Sequence, residues 1–388
     1  MLLRVFCLVL LGQLGTFSVQ AESLIEVLTH KDINQLDFLK ERGLMVGGWL
    51  SSGLTTNLGN LANHNNSPIT FNDRSSELQL NQLNIFLQKN VDLAASSWSV
   101  GGRIDLMYGS DSRFTQAVGW DKNLTHQQQT SSLYDLAIPQ AYLEVYAPLG
   151  KGVTAKIGHF YTILGQEVVT APNNFFYSHA YSMQYGEPFT HSGILFSYPL
   201  NDNFTLSSGV VSGWDNFIAN GESGNYLGGV SWTNDAATDT VSMSIISGAT
   251  NNQGIDQRTL TSLIVSHSFT NKLRYVFQHD FAYQFQGSQY KKNVYWYSLG
   301  HYLFFDLTDS ITIGLRGEWF RDDNGTRLNI GIPGSYYEVT AGINWKPNNW
   351  FSVRPELRYD QAHSAINSYM NHQAQNQIEV AMDVIVSF

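Results

Sequence analysis

The chain has 388 residues, of which 43% are hydrophobic, 13% are aromatic and only 14% are charged. The high aromatic content excludes a disordered chain, and so few charges are unusual for an average soluble domain. The net charge of -10 argues against nucleic acid as a partner.

The first 21 residues have the three parts of a secretory signal peptide. Arg4 supplies a short basic region, residues 5–11 form an apolar region, and residues 19–21 are a small-residue cleavage site. Cleavage after residue 21 would remove Cys7, the one cysteine of the chain. We therefore expect an exported mature protein without a thiol, and hence without disulfides, cysteine metal ligands or a cysteine nucleophile.

Residues 22–43 carry apolar side chains at roughly helical spacing, unlike the rest of the chain. They predict a short periplasmic helix or tether outside the main fold. No later stretch reaches about 18 consecutive apolar residues, so the sequence predicts no transmembrane helix. An exported protein of this kind is either soluble or crosses a membrane as a closed β-barrel, because only helices and barrels satisfy every backbone polar group in lipid.

From residue 44 onward, alternation of apolar and polar side chains and the positions of turn residues predict about sixteen strands. Every second connection is short, and the others are longer and polar, except the short one around 287–291. Outer-membrane barrels show this separation of short periplasmic turns from long extracellular loops. The fold class is therefore all-β: a transmembrane antiparallel β-barrel of about 16 strands over residues 44–388. The predicted strands are centred on 44–55, 78–89, 97–109, 135–147, 152–161, 190–199, 203–214, 225–232, 238–248, 258–268, 271–286, 292–306, 309–321, 336–346, 350–360 and 376–388.

The charged side chains of several strands share the face opposite to the apolar one. Burying Arg354 or Arg358 in lipid would cost about 2–4 kcal/mol each near the bilayer midplane, so this face must be the lumen. Pro355 has lipid-facing parity and lacks an N–H group, which predicts a bulge there. The predicted pore-lining residues are Arg103, Asp105, Glu144, Lys156, Arg316, Glu318, Arg354, Glu356, Arg358, Asp360, Glu379 and Asp383.

Aromatic residues near predicted strand ends indicate girdles at the two membrane interfaces. The last residue, Phe388, is aromatic and has lipid-facing parity, as in many outer-membrane barrels. The strands around 258–268 and 292–306 fit either register, and in one of them His301 would face lipid. The predicted girdle residues are Trp98, Tyr108, Phe204, Trp214, Trp319, Tyr337, Trp345, Trp350, Tyr359 and Phe388.

The middle of the chain resembles the β-barrel porin family labelled OmpL-like. The matching stretches are PQAYLEVYAP, KIGHFYTILGQE, PNNFFYSHAYS and YGEPFTHSG within 136–203, with LNQLNIFLQK and GGRIDLMYGSD upstream. The second half matches only as a generic barrel. The resemblance implies an outer-membrane β-barrel that acts as a porin, and it implies no particular site residue.

The long connection 162–189 is a candidate constriction loop. One interpretation folds it into the lumen, where Glu167 and Glu187 would favour cations. The other leaves it outside, packed on its own aromatic side chains. His179 and His191 belong to the same candidate loop, but their spacing matches no standard zinc signature, so we expect neither a metal nor a cofactor.

An outer-membrane hydrolase is an alternative without support in the pattern. His191 and Ser192 are sequence neighbours, as are His267 and Ser266, and neighbours on a strand point to opposite faces. Neither pair can therefore act as nucleophile and base. A plugged structural or adhesive surface barrel is a second alternative.

The expected function is that of a porin in the bacterial outer membrane, open to small hydrophilic solutes or ions. Charges of both signs in the lumen predict weak selectivity, and the negative net charge predicts a cation preference. The expected partners are outer-membrane lipid, lipopolysaccharide and the solutes. The sequence leaves a homo-oligomer open.

Overall fold

The structure is a computed structural model that describes residues 24–29, 32–59, 64–122, 133–217, 224–250, 256–285, 292–328, 331–370 and 373–388. The predicted signal peptide lies outside the described residues, and so does most of the connection around 287–291. Among the described residues, none of the helices combines the length and the apolar character that a membrane crossing requires.

Three short α-helices and sixteen strands make up most of the described chain, with 3-10 turns at Ile33–Gln35 and Ala171–Asn173 and a π-helical turn at Ser182–Gly186. The helices are α1 (Leu24–Thr29), α2 (Asp37–Lys40) and α3 (Ser112–Thr115). The strands are β1 (Leu44–Asn57), β2 (Glu77–Lys89), β3 (Ser99–Gly109), β4 (Asp135–Ala147), β5 (Val153–Tyr161), β6 (Thr190–Pro199), β7 (Phe204–Val211), β8 (Asn225–Thr233), β9 (Asp239–Ala249), β10 (Gln257–Ser268), β11 (Leu273–Gln284), β12 (Val294–Thr308), β13 (Ile311–Asp322), β14 (Gly334–Asn348), β15 (Phe351–Ser364) and β16 (Asn376–Ser387).

The strands close into one antiparallel barrel in which each strand pairs with its neighbours in sequence. β1 and β16 complete the circle over pairs from Trp49↔Ser387 to Asn57↔Glu379. Closure leaves no strand edge, which is what a sheet in hydrocarbon requires. The predicted 16-strand antiparallel barrel is confirmed.

Alternation along each strand separates a lipid-side face from a lumen face. On β15, Leu357 is 52% exposed on the outside, whereas its neighbours Glu356 and Arg358 are buried inside. Phe388 extends the pairing of β1 with β16 by one residue. Its backbone N–H donates to the Gly48 carbonyl, and its own carbonyl accepts from the Gly48 N–H. Its ring lies over Gly48, where an added Cβ would meet ring atoms at 2.6 Å.

The structure settles the register of the two ambiguous strands. On β12, Trp296, Ser298 and Tyr302 are buried on the lumen side, and His301 is exposed on the outer face. The Tyr275 hydroxyl lies 2.7 Å from Nδ1 of His301, so the outward imidazole has a partner. This ring nitrogen therefore does not face lipid unpaired.

Two sequence expectations are wrong in detail. No bulge forms at Pro355, because β14 and β15 keep one register from Gly342↔Glu356 to Trp345↔Val353, and the irregularity follows Trp345. The ladder therefore accommodates the proline in a regular register although the residue lacks an N–H donor. Trp214 does not join a membrane girdle, since β7 ends at Val211 and the indole packs on Trp296 inside the barrel, with centroids 6.0 Å apart.

Candidate functional site

The connection between β5 and β6, residues 162–189, lies inside the barrel, and we call it the lumen loop. Near its start, the Ile163 carbonyl accepts from Ser244 of β9, and the Gly165 N–H donates to Ser262 of β10. On the far side of the lumen, Gln82 of β2 donates to the Val169 carbonyl over 2.7 Å. The loop thus crosses the interior from one wall to the other, as the first interpretation of the sequence predicts.

Arginines on the wall hold the backbone of the lumen loop. Nη1 of Arg354 lies 2.8–2.9 Å from three of its carbonyl oxygens, those of Ala171, Asn174 and Phe176, and its two N–H groups are shared among them. Arg316 binds the Ser178 carbonyl over 2.7 Å, and Arg358 binds that of His179 over 2.5 Å. A guanidinium group carries five donors in a rigid plane, so it can hold loop and wall together.

Each of these arginines also pairs with a wall carboxylate. The distances are 2.5 Å from Arg354 to Asp383, 2.7 Å from Arg316 to Glu338 and 2.8 Å from Arg358 to Asp360. Buried charges need such partners, because desolvation costs several kcal/mol per ion. The pairing therefore offsets the desolvation of the charges in the crowded interior and fixes the direction of each guanidinium.

Wall carboxylates hold the N–H groups of the same loop. Glu356 accepts from the backbone of Tyr177 and Ser178 at 2.8 and 3.0 Å. Glu318 accepts from Tyr181 and, over 2.8 Å, from Ser182. A carboxylate that receives two backbone N–H groups satisfies donors that would otherwise be orphaned in a buried turn.

Glu167 anchors the loop from within. Its carboxylate contacts Arg316 at 2.8 Å and His179 at 3.0 Å, and it accepts the Ala180 N–H. Burial alone would raise the pKa of Glu167, but Arg316 and His179 outweigh it and lower the pKa to about 2. Glu167 is therefore a charged structural member of the loop.

The remaining predicted pore-lining residues also point into the barrel, where most of them pair. Arg103 binds Asp105 at 2.6 Å, and Glu379 accepts from Asn66 of the β1–β2 connection at 2.7 Å. Glu144 of β4 and Lys156 of β5 are direct cross-strand neighbours and only half-buried. Their pore-lining role remains a prediction, because most of these charges hold other protein groups.

The two histidines assigned to the candidate loop do not come together. His179 lies in the lumen loop beside Glu167, with its ring 4.7 Å from Phe71. His191 lies on β6 and not in the loop, where it contacts Gly213 and Thr162. Within the described ranges, no three His, Cys, Asp or Glu side chains are grouped so as to hold a metal ion.

One serine–histidine contact escaped the sequence reasoning. His159 Nδ1 lies 2.8 Å from Ser192 Oγ across β5 and β6, and both side chains are buried. The other ring nitrogen of His159 has no hydrogen-bond partner among the described residues. Without a group to orient the imidazole, the pair lacks the third member that an acyl-transfer site needs.

Apolar side chains fill the long-loop end of the barrel. Inward residues of the strands, such as Phe160, Leu227 and Trp296, form one cluster with residues of the connections. Ile69, Leu164, Tyr181, Leu328 and Tyr369 come from four different connections. We call this group the apolar cap.

A small cavity of about 10 Å³ lies between the lumen loop and the wall. That volume is about the size of one water molecule. Gln82, Asp111, Tyr177, His179 and Arg354 are among the residues that line it. Burial raises the pKa of Asp111 to about 6, although hydrogen bonds from Gln82 and others oppose the rise.

The family model "Putative beta-barrel porin-2, OmpL-like" matches residues 43–388, nearly the whole barrel. The chain belongs to this family. It is therefore a porin-like channel protein of the bacterial outer membrane and not an enzyme. No curated protein matches the chain.

Solved structures similar to this OmpL-like porin are outer-membrane barrels of low sequence identity. The channel DcaP of Acinetobacter baumannii has a TM-score of 0.58 and 11% identity, over 89% of this chain and 97% of that chain. The anion-selective porin from Comamonas acidovorans has a TM-score of 0.59 and 10% identity, over 89% of this chain and 99% of that chain. The trimer form of Vibrio cholerae OmpT has a TM-score of 0.56 and 11% identity, over 89% of this chain and 99% of that chain. At these identities the likeness shows the fold alone.

Proposed function

We propose that this porin lets small hydrophilic solutes or ions diffuse passively through a path that the lumen loop narrows. The observation that carries the proposal is the set of bonds from Arg354, Arg316 and Arg358 to loop carbonyls. They hold a polypeptide segment across the interior of a sixteen-strand barrel, which would otherwise enclose a wide aqueous lumen. Only small solutes would pass beside such a segment.

We propose a weak cation preference. Most interior charges occur in opposite pairs, such as Arg103 with Asp105 and Arg354 with Asp383, so their fields largely cancel at a distance. Export with cleavage after residue 21 would remove one of the 22 basic side chains and none of the 32 acidic ones. The remaining excess of acid would attract cations modestly.

The setting we propose is the outer membrane of a Gram-negative bacterium, reached with the signal peptide. Residues 22–43 would then lie on the periplasmic side, where Asn34 already contacts the backbone of Val46 on β1 through both side-chain polar atoms. Lipid and lipopolysaccharide would surround the outer face. A homo-oligomer is part of the proposal, since one similar structure is a trimer form.

Conductance in a planar lipid bilayer tests the proposal directly. The protein is refolded, and heat-modifiable gel mobility establishes that the barrel has formed. We expect stable single-channel steps that scale with salt concentration, and a small reversal potential in a salt gradient that favours cations. An anion-favouring reversal potential would refute the cation preference while leaving the channel intact.

The apolar cap favours a second candidate, a plugged structural or adhesive barrel. Loop residues such as Leu164, Leu328 and Tyr369 close on inward strand residues at the long-loop end. Folded protein that gives no current steps at any voltage would support this candidate over diffusion.

A further inference from the structure

The two ends of the lumen loop meet at one point, which we call the neck: Gly165 at the start and Glu187 at the end. The carboxylate of Glu187 packs directly on the backbone of Gly165. A Cβ added at residue 165 would lie 1.7 Å from Oε2 of Glu187, and the φ angle of Gly165 is +83°. Glycine is therefore needed here both for space and for its left-handed backbone.

The carboxyl group of Glu187 also meets that of Asp280 on β11, within hydrogen-bond reach. Nε2 of Gln278 lies 2.5 Å from Glu187 and 2.6 Å from Asp280, and Ser298 donates to the same oxygen of Asp280. The other oxygen of Asp280 is also buried, and the hydroxyl of Ser262, its cross-strand neighbour on β10, lies near the same carboxyl. Glu187 and Asp280 are only 5% and 1% exposed.

The surroundings of this carboxyl pair supply no positive charge by direct contact. Strand β13, which lies beyond β12, contributes another carboxylate, Glu318. Strands β10 and β12, which pair with β11, contribute the hydroxyls of Ser262 and Ser298. Arg327 approaches the neck, but its guanidinium binds the Tyr185 carbonyl two residues before Glu187. Among the described residues, no lysine or arginine forms an ion pair with Glu187 or Asp280.

Two carboxylates in contact in a buried site cannot both carry charge unless a cation lies between them, so one of them keeps a proton. Here the adjacent carboxyl groups of Glu187 and Asp280 leave a place for one proton between them. Burial, followed by the charge of Asp280, raises the pKa of Glu187 well above its ordinary value.

We propose that the Glu187–Asp280 contact is a proton-operated latch, which fastens the neck of the lumen loop to β11 and releases it as the pH rises. While the pair shares a proton, the contact is a hydrogen bond. When the proton leaves, two buried like charges repel each other, and the neck moves away from the wall. The arginines of β13 and β15 still hold the middle of the loop.

The direction in which pH acts on the latch follows from proton linkage. A carboxyl whose pKa is higher in the docked loop than in a released loop favours docking below the ordinary carboxyl pKa, about 4.3 for glutamate. That advantage disappears as the pH rises through the raised value. The latch therefore closes at low pH and opens as the pH rises through that raised value. Its effect on current rests on the proposed function, whereas the loop movement does not.

Thiol labelling of the neck measures the movement without any need for conduction. Leu164, 1% exposed and next to Gly165, is replaced by cysteine, since the mature chain has no other thiol once the leader with Cys7 is removed. The labelling rate is measured in the Leu164→Cys protein and in Leu164→Cys with Glu187→Gln. We divide the rate of the Leu164→Cys protein by that of the protein with both changes. This labelling ratio removes the ordinary titration of the thiol, which the two proteins share.

We expect this ratio to rise by about tenfold between about pH 6 and about pH 10, because the amide introduced by Glu187→Gln cannot lose a proton and keeps the contact. Adding Asp280→Asn to the Leu164→Cys protein should abolish the rise. Adding Glu144→Gln instead, which removes a lumen-side carboxylate away from the neck, should retain it. A ratio that stays constant with pH overturns the latch.

Conductance at the same pH values separates the two proposals. Current that increases with the labelling ratio supports both. A rising ratio without current supports the latch and refutes diffusion. Current that is the same at every pH, with a constant ratio, supports diffusion and refutes the latch.

Discussion

At the scale of single residues, the lumen arginines connect wall and loop. Arg354 pairs with Asp383 on β16 and binds three loop carbonyls that lie about 180 residues before it in the chain. A lysine has one ammonium group and could not reproduce this planar arrangement of donors. The predicted pore-lining charges therefore have a structural role in addition to any effect on solutes.

Replacing Arg354 by Gln should destabilise the barrel and loosen the lumen loop. The change leaves Asp383 buried without its partner, and breaking a buried pair costs about 3–5 kcal/mol. Urea titration followed by heat-modifiable mobility measures the stability, and single-channel recording measures the pore, which we expect to conduct more. The double variant Arg354→Gln with Asp383→Asn should recover part of the stability, and full wild-type stability in the single variant would contradict the anchoring role.

Replacing Gly165 by Ala should displace Glu187 and weaken the neck. Its matched control is Gly331→Ala, because Gly331 has a similar positive φ of +66° but nothing within 4 Å of an added Cβ. Both variants carry the cost of a left-handed alanine, roughly 1–2 kcal/mol. The difference in urea midpoint between them isolates the contact with Glu187, and equal midpoints would show that the carboxyl adapts freely.

At the scale of secondary structure, odd and even positions of a strand face opposite sides of the barrel wall. Glu356 and Arg358 point inward to the lumen loop and to Asp360, while Leu357 between them lies on the outside. This parity is legible in the sequence, since a charged side chain costs little in a wet interior and much in hydrocarbon. Even Pro355 fits without a bulge, since the register stays regular toward both neighbouring strands.

Replacing Leu357 by Arg should cost about 2–4 kcal/mol in a bilayer, because the residue lies in the middle of β15 on the lipid side. Leu149→Arg is the control, since Leu149 is similarly exposed at 59% but lies in the short turn between β4 and β5. There the cost should be only about 0–1 kcal/mol. Unfolding titrations in lipid vesicles compare the two, and equal losses would argue against the assigned lipid face.

At the scale of the whole molecule, the barrel interior is layered. The apolar cap lies at the long-loop end, and the lumen loop with its ion pairs lies next to it. The cap combines inward strand residues with residues of four different connections. Diffusion would require a path past this cap, so the conductance measurement decides between a narrow channel and a plugged barrel.

Several features of the site had no signal in the sequence. Gly53 and Gly314 make room for Tyr177 and Phe175 of the lumen loop, where an added Cβ would clash at 2.4 and 2.2 Å. Read along the strands, these glycines look like ordinary interruptions. Trp214 was assigned to a membrane girdle for a similar reason, since a sequence does not show which way a chain turns after its strand ends.

Sequence patterns were enough to predict the sixteen strands, the closed antiparallel barrel and the inward face of the predicted pore-lining residues. These follow from local periodicity and from the cost of charge in lipid, which act on neighbours along a strand. The folded chain was needed to show that residues 162–189 lie inside, which carbonyls Arg354 holds, and that Glu187 meets Asp280. Those contacts join residues about 90 to 180 positions apart, and the pairing depends on the circular closure that brings opposite walls around one loop.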